Sequence, residues 1–143
     1  MSAQAKLLKI LEARKLRRLG AVEETDINVR VLAATNSNLE QAVAEGRFRQ
    51  DLLFRLNLIA IHIPPLRERK EDIPDLAQYN FNFYKALYNR PNLIITDEAI
   101  NALQNHSWPG NVRELRNVLE RAVLLAGDGE ITPQQISEAV RNG

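Results

Sequence analysis

Three arginines, Arg49, Arg55 and Arg113, stand where apolar patterning or helix electrostatics do not want them, and Asn36 ends a predicted strand. The stretch Gly46-Arg-Phe-Arg-Gln-Asp-Leu-Leu-Phe-Arg-Leu56 reads as a short helix. At about 100° per residue, Phe48, Leu52, Leu53 and Leu56 share one apolar arc. Arg49 falls inside that arc and Arg55 beside it. A guanidinium on an apolar stripe needs an anion, because an unpaired buried cation is costly. Asp51 and Arg55, four residues apart, offer a weak internal pair. The sharper reading aims both arginines at a phosphate that this chain does not itself hold.

Asn36 closes the segment Ala33-Ala-Thr-Asn, at the end of an alternating run through Ile27, Val29, Val31 and Ala33. Ligands of open α/β sheets bind beyond the carboxyl ends of the strands. The plainer alternative makes Asn36 or Ser37 a helix cap. Arg113 lies in Trp108-Pro-Gly-Asn-Val-Arg-Glu-Leu115, where Trp108 suits a core anchor, Pro-Gly a turn and Asn111 a cap. The first turn of a helix disfavours a cation. Arg113 therefore calls for Glu114, Glu120 or a ligand phosphate. Leu93-Ile-Ile-Thr-Asp-Glu98 imitates the apolar run and Asp-Glu pair that hold magnesium in nucleotide hydrolases. It is rejected, since both carboxylates open a helix at once. The five lysines, 6, 9, 15, 70 and 85, are followed by Leu, Ile, Leu, Glu and Ala, so no Gly-Lys-Ser/Thr phosphate loop exists in the sequence.

The elements that must position these groups divide in two. Leu7, Leu8, Ile10 and Leu11 mark a helix from about Ala3 to Leu16, and a loop or small hairpin covers residues 20 to 26. Ile27–Ala33 alternates as a strand. Ser37 with Glu40 caps a short helix that Gly46 stops. Leu58-Ile-Ala-Ile-His-Ile63 is almost unbroken apolar sequence, the mark of a strand covered on both faces of a parallel sheet. Beyond Arg69 everything reads as helix. Asp72 and Pro74 open the first, with Ile73, Leu76, Ala77, Phe81, Tyr84 and Leu87 inward; Thr96 opens the second. Asn111 with Glu114 caps the third, which Gly127 or Gly129 closes, and Thr132, Pro133 and Gln135 box the last. The fold class is α/β: a partial sheet subdomain over 1–69, then a four-helix subdomain over 70–143.

Composition is that of an ordinary soluble domain, 45% hydrophobic and 26% charged over 143 residues. No apolar run approaches the roughly 20 residues of a membrane span. There is no cysteine, two distant histidines make no metal centre, and a net charge of +1 gives no general argument for nucleic acid. The last two helices make a poor helix-turn-helix, because their connection is long and the second carries only Arg141 as a cation.

Taken together, Ala34-Thr-Asn36, Gly46–Leu56, Pro64-Pro-Leu-Arg-Glu-Arg69, Glu71-Asp-Ile-Pro74 and Trp108–Leu115 resemble the AAA+ domain of sigma-54-dependent transcriptional activators. The resemblance runs in order over nearly the whole chain. It implies that Asn36 is the sensor of the γ-phosphate and that Arg49 and Arg55 are fingers on ATP bound by the neighbouring subunit. It also makes Arg113 the second sensor, reaching from a helical lid. The segment from about Arg14 to Asn28 resembles a loop that moves with nucleotide state, with Arg-Leu-Gly-Ala where many members have Arg-Val-Gly-Gly. The family's phosphate loop, its magnesium-binding Asp-Glu and its Gly-Ala-Phe-Thr-Gly-Ala loop would precede Met1, and the phosphate-loop strand would lie between the two strands kept here. A receiver domain and a DNA-binding tail are likewise missing from this sequence. The expectations are an ATP- and Mg2+-dependent parent domain acting on sigma-54 RNA polymerase as a cytoplasmic homo-oligomer. The segment itself is expected to make no DNA or membrane contact and to bind no nucleotide tightly. A non-catalytic oligomerisation module is the alternative, a helix-turn-helix DNA-binding protein a weaker one.

Overall fold

A computed structural model of the chain describes residues 2–127 and 129–141. The chain forms two compact units, one up to His62 and one from Ile63 onward. Residues 63–69, grouped with the first part in the sequence reading, fall in the second: Leu66 is fully buried in its core.

In the first unit, α1 spans Ala3–Ala13, capped where the Ser2 hydroxyl accepts from the Ala5 N–H. It ends three residues before the apolar periodicity does. Arg14 adopts a left-handed backbone (φ 51°) and its N–H closes on the Ile10 carbonyl, so the chain leaves the helix. Lys15–Leu16 (β1) then pairs antiparallel with Thr25–Asp26 (β2), so the loop or small hairpin expected over 20–26 is a hairpin that begins earlier, at Lys15, within the expected helix. Leu39–Ala44 forms α2 and Gln50–Leu56 forms α3. The cap of α2 is Asn38, one residue past the expected Ser37, its side chain accepting from the Gln41 N–H at 3.0 Å. Gly46 (φ 70°) stops α2 as expected.

Neither expected long strand is built. Ile27–Ala33 and Leu58–Ile63 join no ladder among the described residues. The apolar pattern records a need for cover on both faces, but a strand exists only when a neighbour accepts its backbone bonds. With no such neighbour, Leu58, Ile59, Ile61 and Ile63 stand 71–88% exposed.

The second unit holds most of the core. Two 3₁₀ turns, Leu66–Glu68 and Lys70–Asp72, lead into α4 (Ile73–Leu87); α5 (Asp97–Gln104) and α6 (Asn111–Leu125) pack against α4, and α7 (Pro133–Arg141) packs against α5 and α6. Ile94–Ile95 (β3) pairs parallel with Glu130–Ile131 (β4), so α5 and α7 start side by side from one short ladder. Their caps are those read from sequence. Thr96 accepts from the Ala99 N–H, and the Gln135 side chain accepts from the Thr132 N–H at 2.8 Å. Asp97 and Glu98 sit in the first turn of α5, as their rejection as magnesium ligands requires. On α4 the inner face is shifted: Leu87 is exposed, while Asn80 is buried and donates to the Leu76 carbonyl at 2.7 Å. The end of α6 is closed by Arg90, whose guanidinium donates to the carbonyls of Ala126 and Gly127, rather than by a left-handed glycine.

Candidate functional site

The arginine turn is built by α2, α3 and α1 together. After Gly46, the N–H groups of Arg47 and Phe48 both donate to the Ala42 carbonyl at 2.8 and 3.0 Å, folding the chain back over the end of α2. Leu52 is buried, and Phe48, Leu53 and Leu56 are half-buried, so the apolar arc read from sequence is the inward face. Arg49 does not lie on that arc. It is the N-cap of α3, in extended conformation, with its side chain about half exposed. An N-cap precedes the first helical residue, so helical angles do not place its side chain.

The pairing also differs from the expected Asp51–Arg55 contact. Asp51 takes Arg49 in a two-pronged bond, Nε at 3.0 Å and Nη2 at 2.7 Å. These hydrogen bonds, ahead of simple charge attraction, hold the Asp51 carboxyl below its usual range and the Arg49 guanidinium above its own. Arg55 instead donates Nη2 to the Leu11 carbonyl of α1 at 3.3 Å, and Arg47 pairs with Glu45. A shallow open depression of about 320 Å3 is lined by Arg49, Gln50 and Asp51. The backbone here is fixed by Gln4 of α1, which donates to the Arg47 carbonyl at 2.9 Å and accepts from the Arg49 N–H at 2.8 Å. Sequence reasoning saw Gln4 only as one position of a helix.

Asn36 lies in a bend before α2. Thr35 accepts from the Ser37 N–H and Asn38 supplies the cap, so neither use needs Asn36. Its side chain is exposed and has no partner among the described residues.

Arg113 belongs to the second unit, where Trp108-Pro-Gly-Asn sets the start of α6. Trp108 is fully buried, its indole N–H donating to the Leu103 carbonyl at 2.8 Å. Both Trp108 (φ 50°) and Asn111 (φ 52°) have left-handed backbones, a conformation that costs a bulky residue on the order of 1–2 kcal/mol. Asn111 does not cap α6 with its side chain: its Oδ1 accepts from the Leu66 N–H at 2.7 Å and ties the first 3₁₀ turn to this corner. The cap bond comes from Glu114, whose Oε2 accepts from the Gly110 N–H at 2.7 Å. A Cβ on Gly110 would meet the Glu114 Cβ at 2.8 Å, so this approach requires glycine.

Both carboxylates that sequence offered to Arg113 are thereby engaged. Glu114 is on Gly110, and Glu120 accepts from the Tyr88 hydroxyl at 2.6 Å, which with burial and charge pushes that phenol's pKa up. Arg113 stays exposed and without a partner among the described residues, at the helix end whose dipole favours anions. The hollow between α5 and α7, about 130 Å3, lies below the roughly 300 Å3 at which ligand pockets begin.

Two family models match the chain: the sigma-54 interaction domain over residues 1–62 and the AAA+ ATPase lid domain over residues 67–143. The Nif-specific regulatory protein of Azotobacter vinelandii is 49% identical over 134 residues, covering 94% of this chain and 26% of that protein. The transcriptional regulatory protein XylR of Pseudomonas putida is 48% identical, covering 90% of this chain and 23% of its own length. The crystal structure of NtrX from Brucella abortus in complex with ADP matches with a TM-score of 0.81 at 35% identity, covering 92% of this chain and 31% of that one; its ATP complex matches equally. The chain spans about a quarter of the length of the curated relatives it matches. With both family models in sequence order and Trp108–Leu115 at the entry to the lid's third helix, the chain belongs to the AAA+ domains of the sigma-54-dependent transcriptional activators.

Proposed function

We propose that this chain carries the phosphate-sensing and finger-bearing part of an ATPase that hydrolyses ATP between subunits and uses the energy to remodel RNA polymerase carrying sigma-54. The observation that carries the reading is Arg113: an exposed cation at a helix N-terminus, with both neighbouring carboxylates committed elsewhere. Asn36, with its side chain unused by the caps around it, senses the γ-phosphate. Arg49 and Arg55 act in trans on the nucleotide of the next subunit, where such fingers are worth roughly 10³–10⁵ in rate. NtrX, whose solved structures include an ATP complex, supports a nucleotide as the anion. The donor side chains present suit phosphate oxygens but supply no cradle for them, because no Gly-Lys-Ser/Thr loop is in the sequence. ATP with Mg2+ would be cradled by residues of the intact domain, working as a homo-oligomer in the cytoplasm, with no DNA contact from this segment.

The 143-residue protein by itself is expected to neither hydrolyse ATP nor bind it tightly. A clear ATPase rate from the purified chain, abolished by Arg113→Ala, would overturn that assignment. A second reading, an interaction module that self-associates, is favoured by the bare Leu58–Ile63 run, since an exposed apolar edge templates pairing. Light scattering tests that reading: a strictly monomeric, folded chain removes it.

A further inference from the structure

We infer that Gln4 is a positioning residue for Arg49: its amide clamps the backbone on both sides of Phe48 and thereby sets where the guanidinium starts. The inference rests on the finger role proposed above. The Gln4 Nε2 donates to the Arg47 carbonyl at 2.9 Å, and its Oε1 accepts from the Arg49 N–H at 2.8 Å. One side chain thus uses a donor and an acceptor on two alternate residues 43 and 45 positions away. Neutral glutamine suits this, since it alone among side chains of its length offers both an N–H and an oxygen.

The clamp acts where the local structure is weakest. Arg49 is an N-cap without a side-chain cap bond; α3 holds its carbonyl, which accepts from the Leu53 N–H at 3.1 Å, while its own N–H is held from outside the helix, by Gln4. Its guanidinium meets Asp51 in two parallel bonds, a fork geometry that tolerates little backbone error. The second arginine is held by the same helix, through the Leu11 carbonyl. Helix α1 is a splint carrying both fingers, with Gln4 near its start and Leu11 near its end. The Arg14 carbonyl, one residue past α1, accepts from the Ile27 N–H at 2.8 Å, so the splint also runs into the base of the hairpin.

The test has two arms, one on the 143-residue chain and one on function. In 15N-labelled chain, Gln4→Ala and the length-matched Gln4→Met are expected to speed exchange of the Arg49 amide by about tenfold or more and to shift the Arg49 Nε–H signal. Gln4→Glu keeps the acceptor, so it restores Arg49 amide protection while leaving the Arg47 carbonyl without its donor. An Arg49 amide and Nε–H signal unchanged in both Gln4→Ala and Gln4→Met overturns the clamp. For function, the chain replaces the matching segment of Brucella abortus NtrX. There Gln4→Met is expected to lower kcat for ATP by roughly 10²-fold at unchanged KM, since misplacement of a catalytic group costs rate rather than ground-state binding. If Arg49→Ala inactivates this hybrid and Gln4→Met leaves kcat intact, the positioning role fails and the finger role stands. If Arg49→Ala is itself silent, both fall.

Discussion

The Arg49–Asp51 pair shows how a single carboxylate can hold a cation ready without burying it. Both side chains are about half exposed, so the pair adds little to stability; its effect is on geometry. Asp51's pKa is depressed in the folded chain, so whatever stability the pair gives is present above the ordinary carboxylate value of about 3.9 and is lost as pH falls through the lower folded value. Carbon-13 titration of the Asp51 carboxyl should therefore give a midpoint below the ordinary range, and Arg49→Ala should move it upward. An unshifted midpoint would show that the fork does not persist in solution. Arg113 is the opposite case, a cation with no partner to lose among the described residues. Arg113→Ala should leave the unfolding free energy within about 0.5 kcal/mol of the parent chain, as for surface positions generally. A larger loss by urea titration would mean that Arg113 is structural.

At the scale of elements, what was legible was local. Caps at Thr96 and Thr132–Gln135, the stop at Gly46, the inward arc of α3 and the buried Trp108 all follow from residues within a few positions of one another. What was not legible depends on distant partners. Arg49 was placed on a helical face because nothing in Gly46–Leu56 shows that α3 starts only at Gln50. Gln4 was invisible because a bond across 45 positions leaves no periodic trace. Asn111 looked like a cap, yet it serves Leu66, also 45 residues away. The corner it shares with Trp108 fixes α6, and it should be costly to disturb. Trp108→Ala removes a fully buried ring and takes from the Leu103 carbonyl the shorter of its bonds, leaving the one from the His106 N–H; a loss of about 3–5 kcal/mol is expected in urea unfolding of the second unit. A cost below about 1 kcal/mol would contradict this account of the corner.

For the whole molecule, the two units differ in how well they are finished. The second has a contiguous core running from Leu66 to Ala139. In the first, the buried residues among those described are Ala42 and Leu52, and the apolar runs written for a sheet lie open. Those runs were readable as strands and their destination was not, since a ladder needs a second strand that this sequence does not place beside them. The chain should accordingly self-associate with rising concentration. Replacing two of the most exposed residues together, Leu58→Lys with Ile61→Lys, should raise the monomer fraction in sedimentation and leave the melting of the second unit unchanged. An unaltered association constant would place the contact elsewhere.

The central claim is that Arg49 and Arg55 serve a nucleotide held by another subunit, and subunit mixing of the NtrX hybrid tests it most directly. One preparation lacks both arginines (Arg49→Ala with Arg55→Ala); the other keeps them but has a disabled phosphate loop. Each is expected to be inactive alone, and mixing them should restore ATP hydrolysis, because the intact pocket of one subunit then meets the arginines of its neighbour. If the mixture stays at the level of the separate preparations while the unmutated hybrid is active, the arginines do not act across the interface and the account is wrong.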